Sequence, residues 1–433
     1  MSKRGKTTNS TIERVFKFYS DHKLACNSSY DLANEQSIDK IYENIRDEKQ
    51  INSLLTITAL VIITANKYER NILHQNVFKK SGERIKSFKI LLNTADGWNN
   101  GIFVYYFQLH GYSVLHFHAN VTGANTIGGS ADIVRWIENN DYLYPSVIIS
   151  FGLCFGTYEE KEEIGDVIIS KKVYPYFVGV KLKGEKLEVS DDNVLRIDDR
   201  LNQEICKLLD DNSFTNLDFN VFFKNYITGE AVLSSKPWRR KFTMITTQEI
   251  FAGDMEAYGL FKESRSWNYK TPCFVLKSIC DWGEEKNFDP KDENTVNMFT
   301  GITKIDKDTE GLLSTLKDRL QAYSSNCAFD VLDIILEKEI FHQSVFKELE
   351  KRITDYIGQA TTCWFLYNYL LELNNVSING YSISKRFLHR SIMLLDEKGM
   401  VQCEAKCKQH NNNVDACLAK TLNTSVTLTK VGG

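Results

Sequence analysis

Apolar positions fall into three regimes along the chain. Over residues 1–52, Ile12, Val15, Phe16 and Tyr19 recur at helical spacing, and Ile38, Ile41, Tyr42 and Ile45 repeat it. Two amphipathic helices are expected there, their stripes serving as packing faces. From 53 to 325 the pattern changes to short apolar runs at 60–63, 90–92, 103–109, 114–117, 147–149, 167–169 and 274–279. Helical stretches at 132–138, 201–209, 255–262 and 308–323 lie between them. Near-continuous Val/Ile runs bounded by turn residues suit strands buried on both faces. Their alternation with helices predicts an α/β layered domain around a mixed sheet. Residues 326–433 return to a helical period: Ile383, Phe387, Leu388, Ile392 and Leu395 form one stripe with Lys385, Arg386 and Arg390 among them. Gly399 stops that helix, and 400–403 and 425–428 read as strands joined by a polar loop. Helix, glycine, strand, loop, strand closes a winged helix, and many small helical domains share that order.

Composition narrows the class. The 433 residues carry 53 Lys+Arg against 56 Asp+Glu, so no global basic field advertises nucleic-acid binding. Aromatics at 12% argue against disorder over most of the length. No apolar run reaches the roughly 18–20 residues a membrane span needs, and the basic start MSKRGKTTNS is followed by no apolar signal core. Ten cysteines, mostly inside apolar segments, suit free thiols in a reducing cytoplasm. Cys403, Cys407, His410 and Cys417 supply only half of a zinc spacing, so thiols on a wing loop are expected and no metal. The expectation is a cytoplasmic protein of several domains with no membrane partner and no cofactor.

Four features of the middle region carry candidate chemistry. The run at 60–63 leads into Thr64-Ala65-Asn66-Lys67-Tyr68-Glu69-Arg70. A carboxylate just past a strand's carboxyl end stands where open α/β sheets bind ligands, although a first-turn acid also suits a helix start. Next, VIISFGLCFG at 147–156 places Gly152 and Gly156 after a buried strand, where a backbone can approach a ligand or simply turn. Gly165-Asp166 then opens another strand. In AGDMEAYG at 252–259, Asp254 and Glu256 stand at an expected helix start, where a carboxylate can accept two sugar hydroxyls or merely face the helix dipole. Finally, PCFVLKSICDWG at 272–283 delivers Asp281 at a strand end, positioned to donate to a ring nitrogen of a departing base.

In order and spacing these four segments resemble the nucleoside phosphorylase and methylthioadenosine/adenosylhomocysteine nucleosidase superfamily. The matching residues are Glu69, 151–156, Gly165-Asp166, Met255-Glu256 and Cys280-Asp281, with Cys280 where serine is usual. The resemblance implies a three-layer domain around a mixed sheet at 53–325, an N-glycosidic activity on a purine nucleoside or nucleotide, and a homo-oligomer. It implies that Glu256 grips the ribose hydroxyls with Met255 on the sugar, that Asp281 is the general acid for the base, and that Glu69 activates water. Phe151, Gly152 and Val232 then fall at the substrate pocket. Breaking a ribosyl C–N bond needs one group to stabilise the leaving base and one to orient the nucleophile.

Phosphorolytic relatives hold phosphate with arginine and serine around the glycine turn. Here Leu153 follows Gly152 and no arginine enters the turn, so water is favoured as nucleophile. Lys236, Arg239, Arg240 and Lys241 follow the pocket segment and suit a 5′-phosphate, as in ATP, or a solvated basic surface. The added terminal regions give a layout like nucleosidase effectors of bacterial antiphage systems. Alternatives are nucleoside salvage by a nucleosidase or phosphorylase, and a regulator that binds nucleic acid through Lys385, Arg386 and Arg390. The C-terminal region is otherwise expected to take a protein partner.

Overall fold

The computed structural model describes residues 14, 15, 18, 41–93, 99–119, 129–157, 161–176, 180–183, 186–189, 193–229, 249–266, 271–282 and 316–356, with short pieces at 361–362, 377–378, 381–382, 391, 395, 401–403 and 427–430. In chain order come β1 (Tyr42–Asn44), α1 (Glu48–Ile57), β2 (Leu60–Thr64), α2 (Lys67–Ser81), β3 (Ile85–Asn93), β4 (Asn99–Leu109) and β5 (Tyr112–His118). Then follow α3 (Ser130–Asn139), β6 (Val147–Gly156), β7 (Val167–Pro175), β8 (Val180–Lys183), β9 (Lys186–Val189), β10 (Leu195–Arg196), α4 (Asp199–Asp210) and β11 (Val221–Thr228). Next are β12 (Ile250–Asp254), α5 (Ala257–Ser266), β13 (Cys273–Asp281), α6 (Leu316–Glu337) and α7 (Val345–Tyr356). Short strands close the chain: β14 (Thr361–Thr362), β15 (Ser377–Ile378), β16 (Tyr381–Ser382), β17 (Val401–Cys403) and β18 (Thr427–Lys430).

All seven apolar runs lie in strands, and β2 and β6 are buried along their whole length. One expected helix is corrected. Residues 41–45 bury Ile41, Tyr42 and Ile45, yet Tyr42, Glu43 and Asn44 pair in parallel with Ile85, Lys86 and Ser87. The helix starts only after Asp47, whose carboxylate accepts the Gln50 N–H at 3.3 Å and so caps α1. The stripe instead covers the open edge of β3. A second adjustment concerns 255–262, where helix α5 begins at Ala257, leaving Met255 and Glu256 in the bend before it.

The main sheet has eleven strands in the order β1-β3-β4-β5-β2-β6-β12-β11-β7-β10, with β13 joined to both β6 and β7. The pairings β6–β13–β7–β11–β12–β6 therefore close a ring. One edge of β6 runs alongside β13. Its other edge pairs with β2 over residues 147–150 and with β12 only at Phe155 and Gly156. A short gap at 151–154 is left on that edge, and the candidate site is built there. Helix α6 packs on α2 and on β13, and one apolar cluster runs from Val15 through the strands to Phe341.

At the C-terminal end, β17 and β18 fall at the two expected strands and pair antiparallel, with β14 on the other side of β18. Lys385, Arg386 and Arg390 lie outside the described residues. Among the described residues no helix is long and apolar enough to cross a membrane.

Candidate active site

Glu69 is the third residue of α2, where a capping-box carboxylate belongs. Asn66 caps the helix by accepting the Tyr68 N–H at 2.8 Å. Glu69 Oε2 accepts the N–H groups of Ala65 and Asn66, each at 2.8 Å. Its other oxygen reaches across to the gap in β6 and accepts the Leu153 N–H at 2.8 Å. One carboxylate thus caps the start of a helix and replaces a missing strand partner. Gly152 makes this approach feasible: its φ is +137°, and a Cβ there would overlap the Glu69 carboxyl. Burial pushes the Glu69 carboxyl up to about 7; Lys277 works against the shift and the charge of Glu256 adds to it. A carboxyl poised there changes protonation near neutral pH.

The second part of the site centres on a residue that the sequence pattern did not single out. Lys277 lies in the middle of β13, opposite Gly152, with its side chain 1% exposed. Its Nζ forms an ion pair with Asp254 Oδ2 at 2.7 Å and donates to Glu256 Oε2 at 2.8 Å. Burial alone would strip the proton from this lysine, but the charges of Asp254, Glu256 and Glu69 outweigh it and hold the ammonium well above its usual range. Asp254 ends β12, and its Oδ1 accepts the Thr228 hydroxyl at 2.8 Å and the Ala257 N–H at 3.2 Å. Thr228 Oγ1 in turn accepts the Tyr258 N–H at 3.0 Å. Asp254 is therefore a framework residue tied to β11 and α5. Glu256, at 14% side-chain exposure, is the carboxylate of this group that retains access to solvent. The available signal for Lys277 was a lone cation inside an apolar strand run, a feature also met where a long side chain escapes to the surface.

Asp281 ends β13 after a bulge: Ile279 pairs with Cys154 and Asp281 with Phe155, leaving Cys280 unmatched. Such an insertion re-aims the following side chain. Asp281 is half-buried, and the Cys280 thiol donates to its Oδ2 at 3.5 Å. Phe151 is fully buried in the apolar cluster of the sheet. Met255 is half-buried beside Glu256. Asp166 has a different task. It accepts the Glu163 N–H at 2.7 Å and both the backbone and side-chain N–H of Asn220, at 2.8 and 3.2 Å, tying the start of β7 to that of β11.

The structure thus gathers Glu69, Gly152 and Glu256 around the β6 gap and sets Asp281 at the carboxyl end of neighbouring β13. Val232, Lys236, Arg239, Arg240 and Lys241 lie outside the described residues, as do Cys407, His410 and Cys417. Among the described residues no His, Cys, Asp and Glu cluster could hold a metal ion.

The ring-closed mixed sheet is an α/β fold of the nucleoside-phosphorylase kind. Residues 60–304 match the phosphorylase superfamily, and the chain belongs to that family. Solved structures with a similar course include a 5′-methylthioadenosine/S-adenosylhomocysteine nucleosidase from S. pneumoniae with a transition-state inhibitor, at 15% identity and TM-score 0.45 over 65% of this chain and 99% of the other. The corresponding enzyme from Neisseria meningitidis is 14% identical, with TM-score 0.40 over 62% and 99%. A futalosine hydrolase mutant from Helicobacter pylori is 11% identical, with TM-score 0.42 over 64% and 100%. No curated protein sequence matches this chain.

Proposed function

We propose that the chain is an N-glycosidase that hydrolyses the bond between base and ribose in a purine nucleoside or nucleotide. The observation that carries this reading is the arrangement around the β6 gap. Glu69, held at a value of about 7, is suited to take a proton from water. Glu256, steadied by Lys277, is suited to accept ribose hydroxyls. Asp281 at the end of β13 is suited to the leaving base. Membership of the phosphorylase superfamily supports the same class. Water is favoured over phosphate because Leu153, whose N–H is already taken by Glu69, brings no side-chain donor.

Within this reading an adenine nucleotide such as ATP is the preferred substrate, on the strength of Lys236, Arg239, Arg240 and Lys241. The proposed regions are 1–52, 53–325 and 326–433, with β1 of the first already paired in the main sheet and α1 and α6 running across the boundaries. The last is read as a winged-helix-like module for a protein or nucleic-acid partner. The order β14-β18-β17, with β18 central, supports that module. The layout favours nucleotide depletion by a cytoplasmic, homo-oligomeric antiphage effector. The test is incubation with a panel of nucleosides, nucleotides and methylthioadenosine, with and without phosphate, followed by quantification of free base and sugar. Base release without phosphate supports hydrolysis; release only with phosphate replaces it by phosphorolysis. Preference for methylthioadenosine over ATP refutes the nucleotide preference alone.

A further inference from the structure

A buried hydrogen-bonded chain ends at the turn that holds Glu69. Tyr42 OH meets His74 Nδ1 at 2.8 Å, and His74 Nε2 meets His116 Nδ1 at 2.8 Å. Thr64 Oγ1 then bridges His116 Nε2 and His118 Nδ1, each at 2.9 Å. The topology explains the convergence: Thr64 pairs with His118 across parallel β2 and β5, and His116 lies two positions earlier on the same face. Tyr105 of β4 packs on His74 and His116, with centroids 4.5 and 5.6 Å away. Tyr42, His74, His116 and Thr64 are buried, whereas His118 is half-buried. Ala65, next to Thr64, gives its N–H to Glu69, and Ala119, next to His118, gives its own to Thr64 O at 2.8 Å.

Such a chain has two polarities, because a neutral imidazole carries one N–H and one lone pair and a hydroxyl carries one proton. Burial, with Arg70 adding to it, holds His74 and His116 well below the usual histidine range and His118 down to about 3. All three rings are therefore neutral. A phenol is a better donor than an imidazole, and an imidazole nitrogen a better acceptor than a phenol, so Tyr42 donates to His74. His74 then donates from Nε2 to His116, and His116 donates from Nε2 to Thr64. Thr64 gives its single proton to His118 Nδ1. His118 is left with its proton on Nε2.

We propose that the Tyr42–His74–His116–Thr64 chain is a positioning array that fixes His118 as the Nε2–H tautomer, a neutral donor to a ribosyl oxygen at the carboxyl edge beside Glu69. The proposal rests on the nucleosidase reading of that edge. It makes His118 a substrate-binding residue and the other four positioning residues.

The test combines NMR of protein carrying 15N-labelled histidine with steady-state kinetics of Thr64→Val and Thr64→Ser. In the wild type, His118 should show Nδ1 as an unprotonated acceptor and Nε2 as N–H. Thr64→Val keeps the shape but breaks the bridge. It should mix the His118 tautomers and raise KM about tenfold, the effect of one lost hydrogen bond, with kcat within about threefold. Thr64→Ser should restore both. A wild-type His118 protonated on Nδ1 overturns the proposal without any need for a variant, as does a Thr64→Val enzyme with wild-type KM. A wild type that releases no base from any nucleoside instead refutes the proposed function.

Discussion

Replacing Gly152 by alanine tests the site at its tightest point. The alanine Cβ would overlap the Glu69 carboxyl, and the backbone φ of +137° is one that L side chains rarely adopt. Holding an alanine there costs about 1–3 kcal/mol. Driving Glu69 away breaks a charge-assisted bond to a buried N–H, which costs about 1.5–3 kcal/mol more. The sum, about 2.5–6 kcal/mol, is large against typical domain stability. A carboxylate displaced by an ångström should also lower base release by about 100-fold. Gly82 provides the control: its φ is +67° at the end of α2, but a Cβ there meets nothing within 4 Å. Urea denaturation and a base-release assay on both variants separate backbone strain from overlap. If Gly152→Ala unfolds no more readily than Gly82→Ala and keeps wild-type turnover, the close approach of Glu69 to β6 is not what holds the site.

Three further outcomes are expected. If deprotonated Glu69 activates water, kcat/KM rises with pH through about 7 and then levels; because its folded-state value lies above the ordinary 4.5, the same group favours folding most below pH 4.5 and loses that contribution as pH rises through about 7. Lys277→Met leaves Asp254 and Glu256 without their buried cation and should cost about 3–5 kcal/mol; the deficit in denaturant titrations should shrink at acid pH, where the carboxylates take up protons. Asp166→Ala removes three side-chain hydrogen bonds, all to Glu163 and Asn220 and none to a proposed substrate-binding residue, so it should lower stability by about 2–4 kcal/mol with little effect on kcat.

The strands of the main sheet were legible because burial on both faces demands continuous Val and Ile, as in β2 and β6. β1 was not. Three apolar residues at 41, 42 and 45 satisfy helical spacing equally well, and only the empty edge of β3 decides for a strand. Glu69 was visible as a carboxylate after a strand, but its double task depends on β2 and β12 parting from β6, which no local pattern encodes. Lys277 escaped notice because its partners lie more than twenty residues away, at the end of β12 and in the bend after it. The histidine chain escaped for a similar reason: His116 and His118 alternate correctly on β5, and nothing local distinguishes a polar pair facing other histidines from one facing solvent.

The closed ring of strands has a consequence for synthesis. β13 lies between β6 and β7, both of which leave the ribosome about a hundred residues before it. Until residue 281 has emerged, those two strands wait with open edges, and both Lys277 and Asp281 are missing from the site. Pairings of such long sequence separation form late. An unfinished chain therefore holds Glu69 without Lys277 and Asp281. Under the proposed function, competence arrives only once this last stave is inserted, and a nascent or truncated product lacks it.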